Sequence, residues 1–187
     1  MSQFWYTEET ANYLSDEILN ALNISNDLIS GEKSSQVINK SIACISCPTL
    51  FDTLYKRLKN IENISIDLVL LEFDLRFQTK YPSNYVFYDY NNPIDESLKQ
   101  RFKELSFDAV IADPPFLSEE CLGKTSETIK YLAKDKVLVC TGALMRDFVK
   151  QYLGLEECLH FEPKHNRKLG NDFKCFANFE LRQTKNI

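Results

Sequence analysis

The sequence is poor in histidine and has no long apolar run, and each shortage excludes a class of protein. Two histidines occur among 187 residues, and the six cysteines include one CxxC pair, Cys44 and Cys47. A structural zinc site needs a second such pair or two spaced histidines, so we expect no metal. No apolar run approaches the roughly 18 residues that span a bilayer, so we expect no membrane association.

The N-terminus also lacks the features of a secreted protein. Residues 1–10 read MSQFWYTEET, without the basic and apolar regions of a secretory signal. A protein that is not secreted rarely depends on disulfide bonds. We therefore expect a soluble, cytoplasmic protein whose cysteines are reduced.

Acidic residues outnumber basic ones, and this charge balance indicates which class of binding partner is favoured. The chain has 22 basic and 27 acidic residues and a formal net charge of −5. Proteins that grip nucleic acid usually carry a basic surface that displaces counterions. The charge therefore favours a basic protein or a small molecule as partner and makes nucleic acid the less favoured one.

Glycine is scarce as well, with five residues in the chain. No GxGxxG follows the first predicted strand, and this motif is what lets backbone approach a pyrophosphate in dinucleotide-binding proteins. The residues at that place are Ser46-Cys47-Pro48-Thr49. A dehydrogenase-like nucleotide binder is therefore excluded.

Short apolar segments alternate with segments of helical periodicity along the chain. This alternation is typical of an α/β fold with a mostly parallel sheet covered on both faces. An N-terminal helix is expected over 7–22, and the last two strands should form an antiparallel hairpin. The seven predicted strands are 41–46, 66–73, 85–90, 107–112, 136–141, 157–163 and 173–180. We expect a single domain over 1–187, with a helical cap and loop over 1–35 and the core over 36–187.

Acidic residues recur where successive predicted strands end. In an open parallel sheet, ligands bind beyond the carboxyl ends of the strands. A carboxylate after the second strand can accept hydrogen bonds from both hydroxyls of a ribose; Glu72 is the first candidate and Asp74 the second. Asp89, after the third strand, could either bind an adenine amine or fix the turn that follows it. Ser46 and Cys47 occupy the corresponding place after the first strand.

The strongest local signal is Asp113-Pro114-Pro115-Phe116, directly after the fourth strand. Two prolines lock the backbone and remove two N–H donors, so the carboxylate and the neighbouring carbonyls can serve as fixed acceptors. Acceptors beside an aromatic ring suit a nitrogen that attacks carbon, because the ring face favours the positive charge that develops. The alternative is a rigid turn between strand and helix.

Several longer segments resemble one family. The Asp-Pro-Pro-Phe string is similar to the motif that enzymes methylating amino groups carry after the fourth strand. Five segments in the same order closely resemble the elongation factor 1A lysine methyltransferase family, formerly described as N6-adenine DNA methyltransferases. They are QFWYTEETA (3–11), FYDYNNP (87–93), FDAVIADPPFLSEECLGKTSE (107–127), VCTG (139–142) and PKHNRKLGNDF (163–173).

The resemblance implies the seven-stranded Rossmann-like methyltransferase fold, with S-adenosylmethionine as methyl donor and a lysine of elongation factor 1A as acceptor. By position, Asp113, Pro114, Pro115 and Phe116 would line the lysine amine site. Trp5 and Tyr6 would belong to an N-terminal cap over cofactor or substrate. The candidate cofactor contacts are Ser46, Cys47, Glu72, Asp74, Asp89 and Asp113.

Two other functions compete with this one. A nucleic acid enzyme could use the same motif on the N6 amine of adenine, but it would have to present a flipped or single-stranded base, and the chain is short and acidic. A non-catalytic binding protein could also share the fold, since fold does not fix function. We expect Asp113 to orient the amine more than to act as a strong base.

Overall fold

The computed structural model describes residues 5–24, 38–59, 61, 64–166, 170 and 172–182. The helices are α1 (Glu8–Ala21), α2 (Pro48–Leu58), α3 (Arg76–Lys80), α4 (Glu96–Arg101), α5 (Glu119–Leu132) and α6 (Arg146–Leu153), and a 3₁₀ turn covers Ala143–Met145. The strands are β1 (Ile38–Ile45), β2 (Ile64–Glu72), β3 (Tyr85–Phe87), β4 (Phe107–Ala112), β5 (Ala133–Gly142), β6 (Glu156–Glu157) and β7 (Phe173–Ala177).

The described strands form one seven-stranded sheet in the order β3-β2-β1-β4-β5-β7-β6. The first five strands pair in parallel, whereas β7 is antiparallel to both β5 and β6. The predicted α/β class, strand number and antiparallel end of the sheet are thus confirmed. The order reverses between β1 and β4. An open parallel sheet binds its ligands beyond the carboxyl ends of the strands at such a reversal, and we call this region the crevice.

Two apolar layers cover the sheet because side chains alternate between its faces along each strand. On one face, α1 and α2 bury Leu14 and Phe51 against residues such as Cys44 and Leu70. The other face packs against α4, α5 and α6. The central strands are therefore buried on both sides, which explains their nearly continuous apolar sequence.

The third strand is shorter than predicted, ending at Phe87 instead of Tyr90. The Asp89 carboxylate accepts hydrogen bonds from the Asn91 backbone N–H at 2.9 Å and from the Asn91 side-chain amide at 3.0 Å. This turn ends the strand. The next helix, α4, begins directly after Asp95, which caps it by accepting from the Leu98 N–H at 2.7 Å.

The predicted strand over 157–163 was wrong. In this part of the chain, the strand that pairs with β7 is Glu156–Glu157. After Cys158, whose N–H still donates to the Cys175 carbonyl at 2.8 Å, the chain turns away and stacks Phe161 on Tyr13 of α1, with ring centroids 4.1 Å apart. The short helix α3 was missed, since five residues show too little periodicity to be recognised.

Some expectations on organisation stay predictions. The proposed cap over 1–35 includes residues 1–4 and 25–35, which lie outside the described residues, and the single-domain division is likewise a prediction. Within the described ranges, no helix is long and apolar enough to cross a membrane. The same ranges contain no group of three or more metal-binding side chains.

Candidate active site

The loops after β1 and β4 are joined at the point where the strand order reverses. The Asp113 N–H donates to the Ile45 carbonyl at 3.0 Å, and the Ser46 N–H donates to the Leu71 carbonyl at 2.9 Å. These bonds extend the pairing of β4, β1 and β2 by one residue beyond each strand. The carboxyl ends of the three central strands are therefore held in fixed positions relative to one another.

The loop after β1 makes its turn without glycine. Ser46 adopts a positive φ of 55°, a conformation that a residue with a Cβ enters at a cost of roughly 1–2 kcal/mol. Cys47 is buried, and its thiol donates to the Ile111 carbonyl at 3.6 Å. Burial raises the pKa of this thiol well above its usual value, so Cys47 is neutral and its sulfur faces the core. Any contact that this loop makes with a ligand would use its backbone or Ser46.

Asp113 lies half-buried at the end of β4. Burial raises the pKa of its carboxyl group to about 7; a hydrogen bond from Tyr6 lowers it in part, and the negative charge of Glu72 raises it further. Pro114 is buried, whereas Pro115 is exposed. In the Asp113-Pro114-Pro115-Phe116 motif, Pro114 therefore packs in the protein interior, and the Asp113 carboxylate remains partly accessible at the crevice.

Phe116 is 55% exposed, and its ring contacts Tyr90 edge-on with centroids 5.8 Å apart. The next residue, Leu117, packs against Gly142 so closely that a Cβ there would lie 3.0 Å from its methyl groups. Ser118 then caps α5 by accepting from the Cys121 N–H at 3.2 Å. Packing on both sides of Phe116 therefore holds an exposed aromatic ring beside Asp113.

Glu72 and Asp74 follow β2 but have different surroundings. Glu72 is 7% exposed, and one of its oxygens accepts from the Asp74 N–H at 3.0 Å. The Asp74 carboxylate is held by Arg76, whose backbone N–H donates at 2.9 Å and whose guanidinium donates to both carboxylate oxygens. These hydrogen bonds with Arg76 hold the pKa of Asp74 below its usual value. Glu72 is therefore a buried carboxylate whose charge acts on Asp113, whereas Asp74 is engaged in a local ion pair.

The N-terminal segment reaches this crevice from α1. Tyr6 forms an antiparallel bridge with His165 and is 3% exposed. Its neighbour Trp5 is 40% exposed and lies against Phe77, with ring centroids 6.2 Å apart. The two predicted cap residues thus separate: Tyr6 is buried in the core, and Trp5 lies on the surface over α3.

The electrostatics of the crevice suit a cationic ligand. Two carboxylates, Glu72 and Asp113, lie close enough for one to raise the pKa of the other. A positive charge nearby would favour the ionised form of Asp113 and relieve this repulsion. Fixed acceptors, an exposed aromatic ring and two nearby carboxylates are features that favour a cation such as an amine or a sulfonium.

Comparison with known proteins identifies the family. The family model described as "Probable N6-adenine methyltransferase" matches residues 1–181. EEF1A lysine methyltransferase 1 of Danio rerio is 45% identical over 97% of this chain and 98% of its own length. The protein of the same name from Homo sapiens is 43% identical over 96% of this chain and 74% of its own length. The protein-lysine N-methyltransferase M142.8 of Caenorhabditis elegans is 38% identical over 96% and 77%.

The chain belongs to the EEF1A lysine methyltransferase 1 family. The resemblance inferred from sequence segments is thereby confirmed, and the protein is a methyltransferase. In this family member, Ser46, Glu72, Asp113 and Tyr6 come together at the carboxyl ends of β1, β2 and β4. The assignment of particular roles to these residues stays a prediction.

Other predicted site residues are placed less directly. Asp89 performs the turn-forming role that was one of its two alternatives, and an adenine contact stays a prediction. Sequence reasoning missed that Tyr90 contacts Phe116 and that His165 packs against Tyr6, with ring centroids 5.0 Å apart and ring planes tilted by 41°. Both contacts join residues far apart in the chain, and no local pattern signals them.

The raised pKa of Asp113 predicts a pH-dependent stability. An ordinary aspartate in the unfolded chain has a pKa near 3.9, below the value of about 7 in the fold. The folded state therefore binds more protons between these values, and its stability falls as the pH rises through this window. Asp113→Asn removes the ionisation. We compare the free energies of unfolding of this variant and the original protein by urea titration. The difference in favour of the variant should grow by roughly 1–3 kcal/mol from about pH 4 to pH 8. A constant difference between the two proteins would contradict the raised pKa.

Proposed function

We propose that this methyltransferase transfers a methyl group from S-adenosylmethionine to the side-chain amine of a lysine in translation elongation factor 1A. The observation that carries the proposal is the half-buried Asp113 carboxylate, with its pKa near 7, at the crevice between β1 and β4. The names of the Danio rerio and human relatives, which match nearly the whole chain, support the acceptor.

S-adenosylmethionine, when bound, supplies a methyl group on a positively charged sulfur. Glu72 would accept hydrogen bonds from the ribose hydroxyls, since it is the buried carboxylate at the end of β2. Ser46 and the backbone of Cys47 follow β1, the strand next to β2, and are the candidate cofactor contacts on that strand. Because the loop has no free N–H at Pro48, fewer donors are available there than a glycine-rich loop would offer.

Asp113 would both orient the lysine amine and accept its proton. A free lysine has a pKa near 10.4, so the amine is protonated at neutral pH and cannot attack. The pKa of an ordinary aspartate lies about 6 units below that of the lysine amine, so proton transfer to it is strongly unfavourable. With a pKa of about 7, Asp113 reduces this pKa difference by roughly 3 units, or about 4 kcal/mol. The proton can then leave to solvent, because Asp113 is only half-buried.

Phe116 and the prolines would complete the amine site. The exposed Phe116 ring can pack on the aliphatic part of the lysine, and its face favours the charge that develops on nitrogen. The fixed turn at Pro114 and Pro115 holds the Asp113 carbonyl and carboxylate in place. Alignment of this kind can supply several kcal/mol of the barrier without further chemistry.

The proposal is tested by mass spectrometry of purified elongation factor 1A after incubation with enzyme and S-adenosylmethionine. We expect a mass increase of one or more methyl groups on a single lysine, and none with the Asp113→Ala variant. Calorimetry with the cofactor alone separates two kinds of failure. Cofactor binding without methylation would reject the acceptor, whereas absence of binding would favour a scaffold.

A second candidate acceptor is the N6 amine of adenine, since the matching family model carries that description. The same crevice could bind a flipped adenine, although the net charge of −5 is unfavourable for a nucleic acid. Parallel reactions with single-stranded and duplex oligonucleotides distinguish the two. Methyl incorporation into an oligonucleotide, and none into the protein, would reverse the assignment.

We also propose a cytoplasmic location. Six free cysteines support it, two of which, Cys140 and Cys175, have sulfur atoms 3.7 Å apart. Thiols so close together persist where the compartment is reducing. Fractionation of cells with an antibody to the chain tests the location.

A further inference from the structure

Three cysteines lie side by side across the antiparallel end of the sheet. In the register of β5 with β7, Cys140 is the partner of Cys175, and their sulfur atoms are 3.7 Å apart. The pairing of β6 with β7 ends at Glu157 and Phe176. The next residue, Cys158, donates its N–H to the Cys175 carbonyl at 2.8 Å. Cys175 therefore has Cys140 as its neighbour on one side and Cys158 on the other.

The side chains of these three cysteines share one face of the sheet. Cys140 and Cys175 belong to the apolar cluster that α1 and α2 cover, and Cys158 packs against the same cluster. Opposite residues of an antiparallel pair have Cα atoms about 4.5–5.5 Å apart, and disulfide bonds join Cα atoms about 4.4–6.8 Å apart. Continued by one residue, the register of β6 and β7 therefore places Cys158 and Cys175 at a spacing that suits a disulfide bond.

The three thiols differ in their access to solvent. Cys140 and Cys175 are 0% exposed, whereas Cys158 is half-buried and lines an open groove of about 820 Å³ at this end of the sheet. The residue after it, Leu159, is 80% exposed. A small oxidant dissolved in water therefore reaches Cys158 first, and Cys175 is the thiol next to it in the interior.

The acidity of the thiols points in the same direction. The Cys175 thiol lowers the pKa of Cys158 by more than burial and nearby carboxylates raise it. The thiols of Cys140 and Cys158, together with burial, raise the pKa of Cys175 well above its usual value. The thiolate is the reactive form of cysteine. Cys158 thus has both the greater exposure and the greater fraction of thiolate.

We propose that Cys158 is an oxidation site, at which hydrogen peroxide converts Cys158 and Cys175 into a disulfide bond. The Cys158 thiolate attacks one peroxide oxygen, the O–O bond breaks, and the departing hydroxide takes up a proton and becomes water. The Cys175 sulfur then attacks the sulfur of the resulting sulfenic acid, and its proton leaves with the hydroxyl group as a second water. Two thiols and one peroxide thus give one disulfide and two waters, with two electrons passing from sulfur to oxygen.

The disulfide would fasten the segment after β6 to β7, at a place where the ladder consists of two residue pairs. Thiol reductants break such a bond by exchange, so the modification is reversible. A reducing compartment keeps the thiol form as the resting state. The site involves neither the methyl donor nor the acceptor and is independent of the proposed function.

Peptide mapping tests the proposal, because trypsin leaves the three cysteines on separate peptides, 137–146, 151–164 and 175–182. Reduced full-length protein is treated with hydrogen peroxide, and the remaining thiols are blocked with N-ethylmaleimide. The unreduced digest is then analysed by mass spectrometry. We expect peptide 151–164 linked to peptide 175–182, lighter by two hydrogens than the sum of the two. Dithiothreitol should separate them.

Variants of single cysteines assign the roles. Cys158→Ser should abolish the link and leave the two buried thiols reduced; Cys158→Ala replaces it if the serine variant does not fold. In Cys175→Ala, oxidation should stop at the sulfenic acid of Cys158, which dimedone captures on peptide 151–164. Cys140→Ala should form the link as the original protein does. Cys121→Ala, which changes a buried cysteine of α5, is the matched control and should also form it.

Three results would overturn the proposal. The first is intact thiols on all three peptides after a dose of peroxide that oxidises glutathione in a parallel sample. The second is a link between peptides 137–146 and 175–182 that forms at the original rate in Cys158→Ser, because the buried pair would then react without Cys158. The third is sulfinic acid at Cys158 with an intact Cys175 thiol. Since methylation is not a readout, failure of the proposed function leaves this test unaffected.

Discussion

Replacement of Asp113 by alanine should lower the rate of lysine methylation by roughly 10²–10⁴-fold, with the dissociation constant of S-adenosylmethionine changed by less than about threefold. The variant removes the only described carboxylate at the tip of β4 and with it both the orienting acceptor and the proton acceptor with a pKa of about 7. Cofactor affinity should remain, because the ribose contact is assigned to Glu72 on β2. The measurement is single-turnover methylation beside calorimetry.

Asp113→Asn distinguishes the two contributions of this side chain. The amide keeps an oxygen that can accept from Tyr6 but is a poor proton acceptor. If proton transfer dominates, Asn should be nearly as inactive as Ala; if orientation dominates, Asn should keep a large part of the rate. Asp135→Ala, an exposed position at the amino end of β5, is the control and should be fully active. Full activity of Asp113→Ala would refute the assignment.

Replacement of Glu72 by alanine should weaken cofactor binding by roughly 10–100-fold, because hydrogen bonds to a charged group contribute about 1.5–3 kcal/mol each. Alanine also removes the acceptor of the Asp74 N–H, so Glu72→Gln is the cleaner variant. Glutamine keeps that acceptor and removes the charge, and it should show a smaller loss. Calorimetry gives both constants.

Asp74→Ala is the matched control for the Glu72 variants. It changes an acidic residue of the same loop whose carboxylate is already bound by Arg76. We expect its cofactor affinity to stay within about threefold of the original, as surface ion pairs contribute little. An unchanged affinity in Glu72→Ala, with a loss in Asp74→Ala, would transfer the ribose contact to Asp74. Loss of affinity in both would indicate that the conformation of the loop, more than either charge, determines binding.

The positions of most strands and of the acids that follow them could be predicted from the sequence. Apolar periodicity is a local property, and it identified β4 and β5 within a few residues. Asp113-Pro114-Pro115-Phe116 carries its own backbone restriction, so its rigidity needs no distant partner. Predictions failed where a distant contact intervened. The strand expected over 157–163 is absent because Phe161 packs on Tyr13 of α1.

By itself, the sequence determined the fold class and the set of polar side chains at the strand ends, since these depend on residue type and spacing along the chain. The family followed from the resemblance of its longer segments. Only the tertiary structure decided which of those side chains meet. It partly buried Asp113 and raised its pKa to about 7, paired Asp74 with Arg76, and joined Tyr6 to His165 by a backbone bridge. The physical reason is that desolvation and charge interaction depend on distance in space, and groups far apart in sequence supply both.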